Sequence, residues 1–220
     1  MIKEYHKIET VFERDYATRK LIIGKFRNPI VEYLKDNIWQ FTEKIDGTNI
    51  RVIWDGHRVS FAGRTDKAEI PKHLHARLEG LFGGETNEQI FEQIFGGKMV
   101  ILYGEGFGEK IQTNGYLDHV DFILFDVTVD DVVLKRNDVE DIAKALGISV
   151  VPIVLEGTLN DGIDFVKRHN KTVINNGDFG AYMEGLVARP KVEVFDRLGE
   201  RIIVKIKYRD FMEVNNAKKV

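Results

Sequence analysis

The chain has 220 residues, 43% of them hydrophobic, with a formal net charge of −3 and no cysteine. That is enough apolar material for a real core, and it excludes a disulfide framework, a cysteine metal site and a uniformly basic nucleic-acid coat. The N-terminus "MIKEYHKIET" lacks an apolar signal region, and no apolar run approaches the roughly 20 residues that span a bilayer, so the expectation is a cytoplasmic protein with no membrane partner. In chain order, residues 1–40 carry no decisive pattern apart from a short helix over 29–37 with Pro29 in its first turn. Asp55-Gly56 between alternating runs predicts a hairpin in "NIRVIWDGHRVSFAGR" with a two-residue turn. Two helical patterns follow, "PKHLHARLEGLF" and "NEQIFEQIF", separated by Gly83-Gly84. The continuous apolar runs "KMVILYGE" and "VDFILFDVTV" predict central strands. In "NDVEDIAKALG", Asn137 is the expected N-cap, Glu140 completes a capping box and Gly147 ends the helix. A strand "VVPIV", a helix over 161–169 and a final hairpin "KVEVFDRLGERIIVKIKY" complete the pass. The reading is α+β, with antiparallel sheets flanked by helices and no linker that breaks residues 1–220 into separate domains.

The unusual stretch is "FTEKIDGTN". Lys44 stands at the entry to an apolar hairpin, with Glu43, Asp46, Gly47 and Asn49 crowded around it. Alone, K-x-D-G is more often the start of an exposed strand with a glycine turn. In "VKIKY", residues 205 and 207 are two apart on a strand, which sets both ammonium groups on one face and Val204, Ile206 and Tyr208 on the other. The run "GEGFG" lacks the G-K-[ST] ending of a P-loop. His73 and His75, two apart on a helix, fall on different faces and form no zinc pattern.

Taken in order, "EKIDGTN", "GRTD", "LYGEGFG", "FILFDV", "MEGLVARP" and "VKIKYRDF" resemble the motifs of the covalent nucleotidyltransferases, the superfamily of ATP-dependent DNA ligases, RNA ligases and capping enzymes. Asn49 at the last position of the first motif, with "YGEGFG" and "KIK", is similar to the RNA ligase 2 branch; the phage prototype of that branch has histidine where Asp46 stands. The resemblance implies an ATP-grasp-like nucleotidyltransferase fold. It also implies ATP and Mg²⁺ or Mn²⁺ as cofactors, and an RNA partner with 5′-phosphate and 3′-hydroxyl ends, with DNA as an alternative. It points to a role in RNA repair by a monomer. The chain ends nine residues after Phe211, which reads as a nucleotidyltransferase domain without a separate C-terminal accessory domain.

By the same resemblance Lys44 is the nucleophile that becomes linked to AMP, and Lys205 and Lys207 assist it. Cofactor binding falls to Glu43, Asp46, Asn49, Arg64, Glu105 and Phe125, with Glu105 on the ribose and the Phe125 ring on adenine; Glu184 and Asp126 fall to the metal. The physical demands agree. A lysine attacks phosphorus only when neutral, and nearby positive charge favours the neutral amine, so Lys205 and Lys207 are expected to lower the pKa of Lys44. Glycines beside Glu105 would let backbone approach a ligand, and carboxylates suit hard cations. Two rivals remain open: a DNA ligase or GTP-using capping-type enzyme of the same chemistry, and a non-catalytic domain that binds nucleotide or RNA ends.

Overall fold

A computed structural model of the chain describes residues 4–112 and 116–217, with side chains through Met212. The polypeptide forms two compact units, one of Met1–His6 and Asp46–Val151, the other of Lys7–Ile45 and Pro152–Val220. The chain begins the second unit with strands β1 (Glu9–Thr10), β2 (Phe12–Arg14) and β3 (Leu21–Phe26), helix α1 (Pro29–Tyr33) and strand β4 (Trp39–Lys44). It then builds the first unit from β5 (Thr48–Trp54), β6 (Val59–Gly63), α2 (Lys72–Phe82), α3 (Glu85–Phe95), β7 (Val100–Gly108), β8 (Val120–Val129), β9 (Val132–Val133), α4 (Arg136–Leu146) and β10 (Ser149–Val150). It returns to the second unit with β11 (Ile153–Gly157), α5 (Leu159–Lys167), β12 (Gly185–Pro190), β13 (Val204–Lys207) and α6 (Tyr208–Ala217). None of the described helices is long and apolar enough to cross a membrane.

The first unit is a sheet of order β10-β8-β7-β5-β6, with β9 added beside β8. Its β5–β7 and β7–β8 pairs are antiparallel, so the two apolar runs do occupy the middle. Ile50, Val52, Trp54, Val100, Leu102, Phe122 and Leu124 point to one face, where Leu74, Leu78, Phe82, Phe91 and Val139 of the helices bury them. The other face carries a smaller cluster of Ile53, Ile101 and Tyr103, against which Tyr5 and Phe125 pack.

The second unit is a sheet of order β1-β13-β12-β4-β11, antiparallel except for the β1–β13 edge. Trp39, Phe41, Leu186, Ala188, Val204 and Ile206 form its core face with Leu159, Ile163 and Val166 of α5. Helix α5 starts at Thr158, whose side chain and that of Asp161 form a reciprocal capping box.

Several expectations shift for local reasons. The first helix ends at Tyr33, after Asn28 has capped it and Pro29 has opened it. The hairpin between β5 and β6 does close tightly, but one residue later than expected: the Asp55 amide donates to the Arg58 carbonyl, which leaves Gly56-His57 at the turn. The α4 helix begins one residue before Asn137, with Lys135 at the cap position and no side-chain cap, and Glu140 accepts from Arg136 along the helix. "VVPIV" is two strands of different sheets, since Pro152 has no N–H to continue a ladder. In the final hairpin the partner of β13 is β12, and residues 191–203 form a loop closed by a single Phe195–Arg201 bridge.

Candidate active site

In the second unit, strand alternation sends Phe41 and Glu43 to the buried side of β4 and Lys44 to the other. On β13, Val204 and Ile206 are buried while Lys205 and Lys207 share the opposite face, as their spacing predicts. Strand β12 lies between the two, and its Gly185 stands opposite both Lys44 and Lys207. With no side chain at that central position, the two lysines converge on the residue before it. Lys44 Nζ donates to Glu184 Oε2 at 2.5 Å, and Lys207 Nζ donates to Glu184 Oε1. Gly185 is required for a second reason: a Cβ there would lie 1.9 Å from the Ile206 carbonyl oxygen.

Two lysines therefore hold one carboxylate, and Lys205 shares the face of β13 with Lys207. Burial raises the Glu184 pKa, but the Lys44 and Lys207 ammonium groups outweigh it and hold the carboxyl below its usual value. The lysine displaced by this crowding is Lys205. Burial first, then repulsion from Lys207 and Lys44, brings it down to about 8. The face carries more positive charge than it neutralises, and a group of phosphates is its natural complement.

Glu43 is turned away from this cluster. Its buried carboxylate accepts from Thr172 Oγ1 at 2.6 Å and from the Val173 amide at 3.0 Å. Burial raises its pKa against the opposing effect of those two bonds. Here it fastens β4 to the 172–173 segment.

In the first unit, Asn49 of β5 faces Glu105 of β7 in register, on the sheet face away from the helices. Asn49 Oδ1 is buried and has no hydrogen-bond partner, the condition of an acceptor waiting for a donor. Phe125 occupies a bulge in β8, where Tyr103 pairs with Asp126 and Gly104 with Leu124. The extra residue places Phe125 and Asp126 both toward the open face, where regular alternation would have sent one of them into the helices. Tyr5 packs edge-on against Phe125 at 4.9 Å between ring centroids and donates its hydroxyl to Asp126 at 2.7 Å. Asp46 is half-buried, its amide donating to the Tyr116 hydroxyl. Gly104 and Gly106 flank Glu105 for packing: a Cβ at either would strike Phe122 or Leu74 on the helix side.

Arg64 is exposed just beyond β6. What holds its segment is Arg51, fully buried, with Nε donating to the Gly63 carbonyl at 2.8 Å and Nη2 to Asp66 at 2.7 Å. Arg51 was legible in principle, because an arginine inside an apolar strand must find partners for its donors.

Among the described residues no group of three acidic or histidine side chains could hold a metal by itself. Glu184 is a single carboxylate, which suits Mg²⁺ or Mn²⁺ only when phosphates complete the coordination. The lysine surplus beside it fits the phosphates that would carry such an ion.

A family model described as RNA ligase matches residues 37–207. No curated protein matches the sequence. Solved structures of an RNA ligase from Naegleria gruberi are similar. A lysine-to-alanine mutant with ATP and Mn gives a TM-score of 0.66 at 21% identity, over 97% of this chain and 58% of that one. An apo aspartate-to-alanine mutant gives 0.65 at 20%, over 96% and 57%. A glutamate-to-alanine mutant with ATP and Mn gives 0.62 at 20%, over 97% and 60%. At this identity the likeness is one of fold: mixed α and β, with antiparallel sheets flanked by helices. The chain spans less than two thirds of the length of these proteins.

Proposed function

The chain belongs to the RNA ligase family, and from that premise we propose that it is an ATP-dependent RNA ligase that works through an adenylate on Lys44. The observation that carries the proposal is the convergence of Lys44 and Lys207 on Glu184, with Lys205 beside them. Lys44 Nζ, having lost a proton, attacks the α-phosphorus of ATP; the N–P bond forms as the bond to pyrophosphate breaks. The AMP then moves to the 5′-phosphate of an RNA end, and a 3′-hydroxyl attacks that activated phosphate and expels AMP.

Each residue has a defined task. Glu184 orients Lys44 through its hydrogen bond, and Lys207 and Lys205 offset charge on the phosphates. A divalent ion arriving with ATP would be held by Glu184 and the phosphates, and would supply charge neutralisation at the reacting phosphorus. Glu105 and Phe125 would take the ribose and the base, Asn49 a phosphate or the incoming hydroxyl, and Arg64 a phosphate. Asp126 and Glu43 would act through the Tyr5 and Thr172 contacts that they already make.

The test is incubation with α-phosphorus-labelled ATP and Mg²⁺ or Mn²⁺. The wild-type protein should acquire an acid-labile label and Lys44→Ala none. Label retained on Lys44→Ala would refute the assignment. GTP in place of ATP, and nicked DNA in place of RNA, should serve poorly.

A further inference from the structure

The 168–183 segment of the second unit contains an arrangement that the ligase chemistry above does not use. His169, two residues beyond the end of α5 and with a φ of 52°, stacks on Tyr208 with centroids 3.7 Å apart and planes 1° apart. Its other side meets Tyr182 at 4.3 Å and 22°. Tyr208 is rooted against the hydrophobic core, so the three rings form a column with a fixed inner end. Backbone bonds secure it: the Tyr208 amide donates to the Glu184 carbonyl, the Met183 amide to Asn170, and Lys171 bridges Tyr182. The outermost ring, Tyr182, is nevertheless 44% exposed.

A column built only for packing would bury its last ring. The surroundings explain the exposure. Arg168, Lys171 and Arg209 are exposed and have no ion pair among the described residues; Asp164 and Asp210 are already paired with Lys167 and Arg14, which leaves Asp178 as the one exposed carboxylate of the segment against three cations. A rigid aromatic platform bordered by unneutralised cations is what single-stranded nucleic acid requires: a π-face for a base and positive charge for the backbone.

We propose that Tyr182 is a stacking platform for a base of the RNA strand, with Lys171, Arg168 and Arg209 receiving its phosphates. The assignment rests on the RNA ligase reading and extends it. Tyr182 is two residues from Glu184, a span of about 7 Å along an extended chain, so the stacked base belongs to a nucleotide close to the joint.

The test is binding, by fluorescence anisotropy, of a 5′-phosphorylated single-stranded RNA and of an abasic ribose-phosphate strand of equal length. Tyr182→Ala should weaken RNA binding by about 5- to 150-fold, leave the abasic strand unaffected, and be rescued by Tyr182→Trp. Lys171→Gln should weaken both strands alike and make binding less dependent on salt. Equal loss of both strands in Tyr182→Ala, no loss of either, or failure of tryptophan to rescue would overturn the proposal. Labelling of wild-type Lys44 by ATP without RNA decides the underlying ligase reading separately.

Discussion

Lys44 and Lys207 hold a single carboxylate with Lys205 on the face of Lys207, and at the scale of residues the consequence is the cost of a buried charge that its neighbours also repel. Lys205 bears it, with a pKa of about 8 against its ordinary 10.5. Because the folded value is the lower one, the folded chain binds fewer protons than the unfolded chain between pH 8 and 10.5, and stability contributed at this residue rises across that window. Below pH 8 the buried charge is a full cost. Lys205→Gln should therefore raise the melting temperature at pH 7 and flatten its rise toward pH 10.5, as thermal unfolding across that range would reveal; an unchanged pH profile would contradict this origin. The shared face of Lys205 and Lys207 was legible in "VKIK", since two-residue periodicity needs no knowledge of neighbours. The pairing of Lys44 with Glu184 was not, because it depends on β12 lying between β4 and β13 with Gly185 as the opposed residue. The placing of Asp126 beside Phe125 was hidden for a similar reason: a bulge cannot be read from alternation.

At the scale of elements, β12 fixes the geometry. Gly185→Ala would press a methyl group onto the Ile206 carbonyl, so the β12–β13 ladder must separate or shift, carrying Glu184 and Lys207 with it. A loss of about 2 kcal/mol or more is expected in denaturant unfolding, together with loss of Lys44 labelling. Thr158→Ala offers the contrast. It removes the cap of α5, should cost about 1 kcal/mol, and should spare labelling, because α5 supports the sheet from its core face. The helices over 72–82 and 85–95 were legible because their periodicity is strong and Gly83-Gly84 punctuates them. Helix ends were less so: the capping pair Thr158 and Asp161 marks the true start of α5, two residues before the expected one, while Asn137 has the right chemistry for a cap but lies inside α4. The partner of β13 was misread because "KVEV" shares the alternation of a strand without the burial that would fix it; Val192 is 79% exposed.

At the scale of the whole molecule, the first motif is divided between the two units: Lys44 ends a strand of one, and Asp46 and Asn49 belong to the other. Neither that passage nor the return at Val151-Pro152 has a long linker to mark it; the two sheets become distinct only through their pairing. If the chain binds ATP with a divalent ion, the complex must be more stable than the free protein by mass action, by about 2.7 kcal/mol at a hundredfold excess over Kd. Lys44→Ala should retain this shift, because binding does not need the nucleophile. Chelation of divalent ions should abolish labelling of the wild type, and added Mg²⁺ or Mn²⁺ should restore it; labelling that persists in chelator would remove the metal from the account.

The central claim is that the Lys44 amine is the nucleophile that receives AMP. Its most direct measurement is peptide mapping by mass spectrometry after incubation with ATP and Mg²⁺ in the absence of RNA. The account predicts one AMP adduct, on the peptide that contains Lys44, discharged on addition of pyrophosphate. An adduct on Lys205 or Lys207, or none at all under conditions where ATP stabilises the fold, would contradict it.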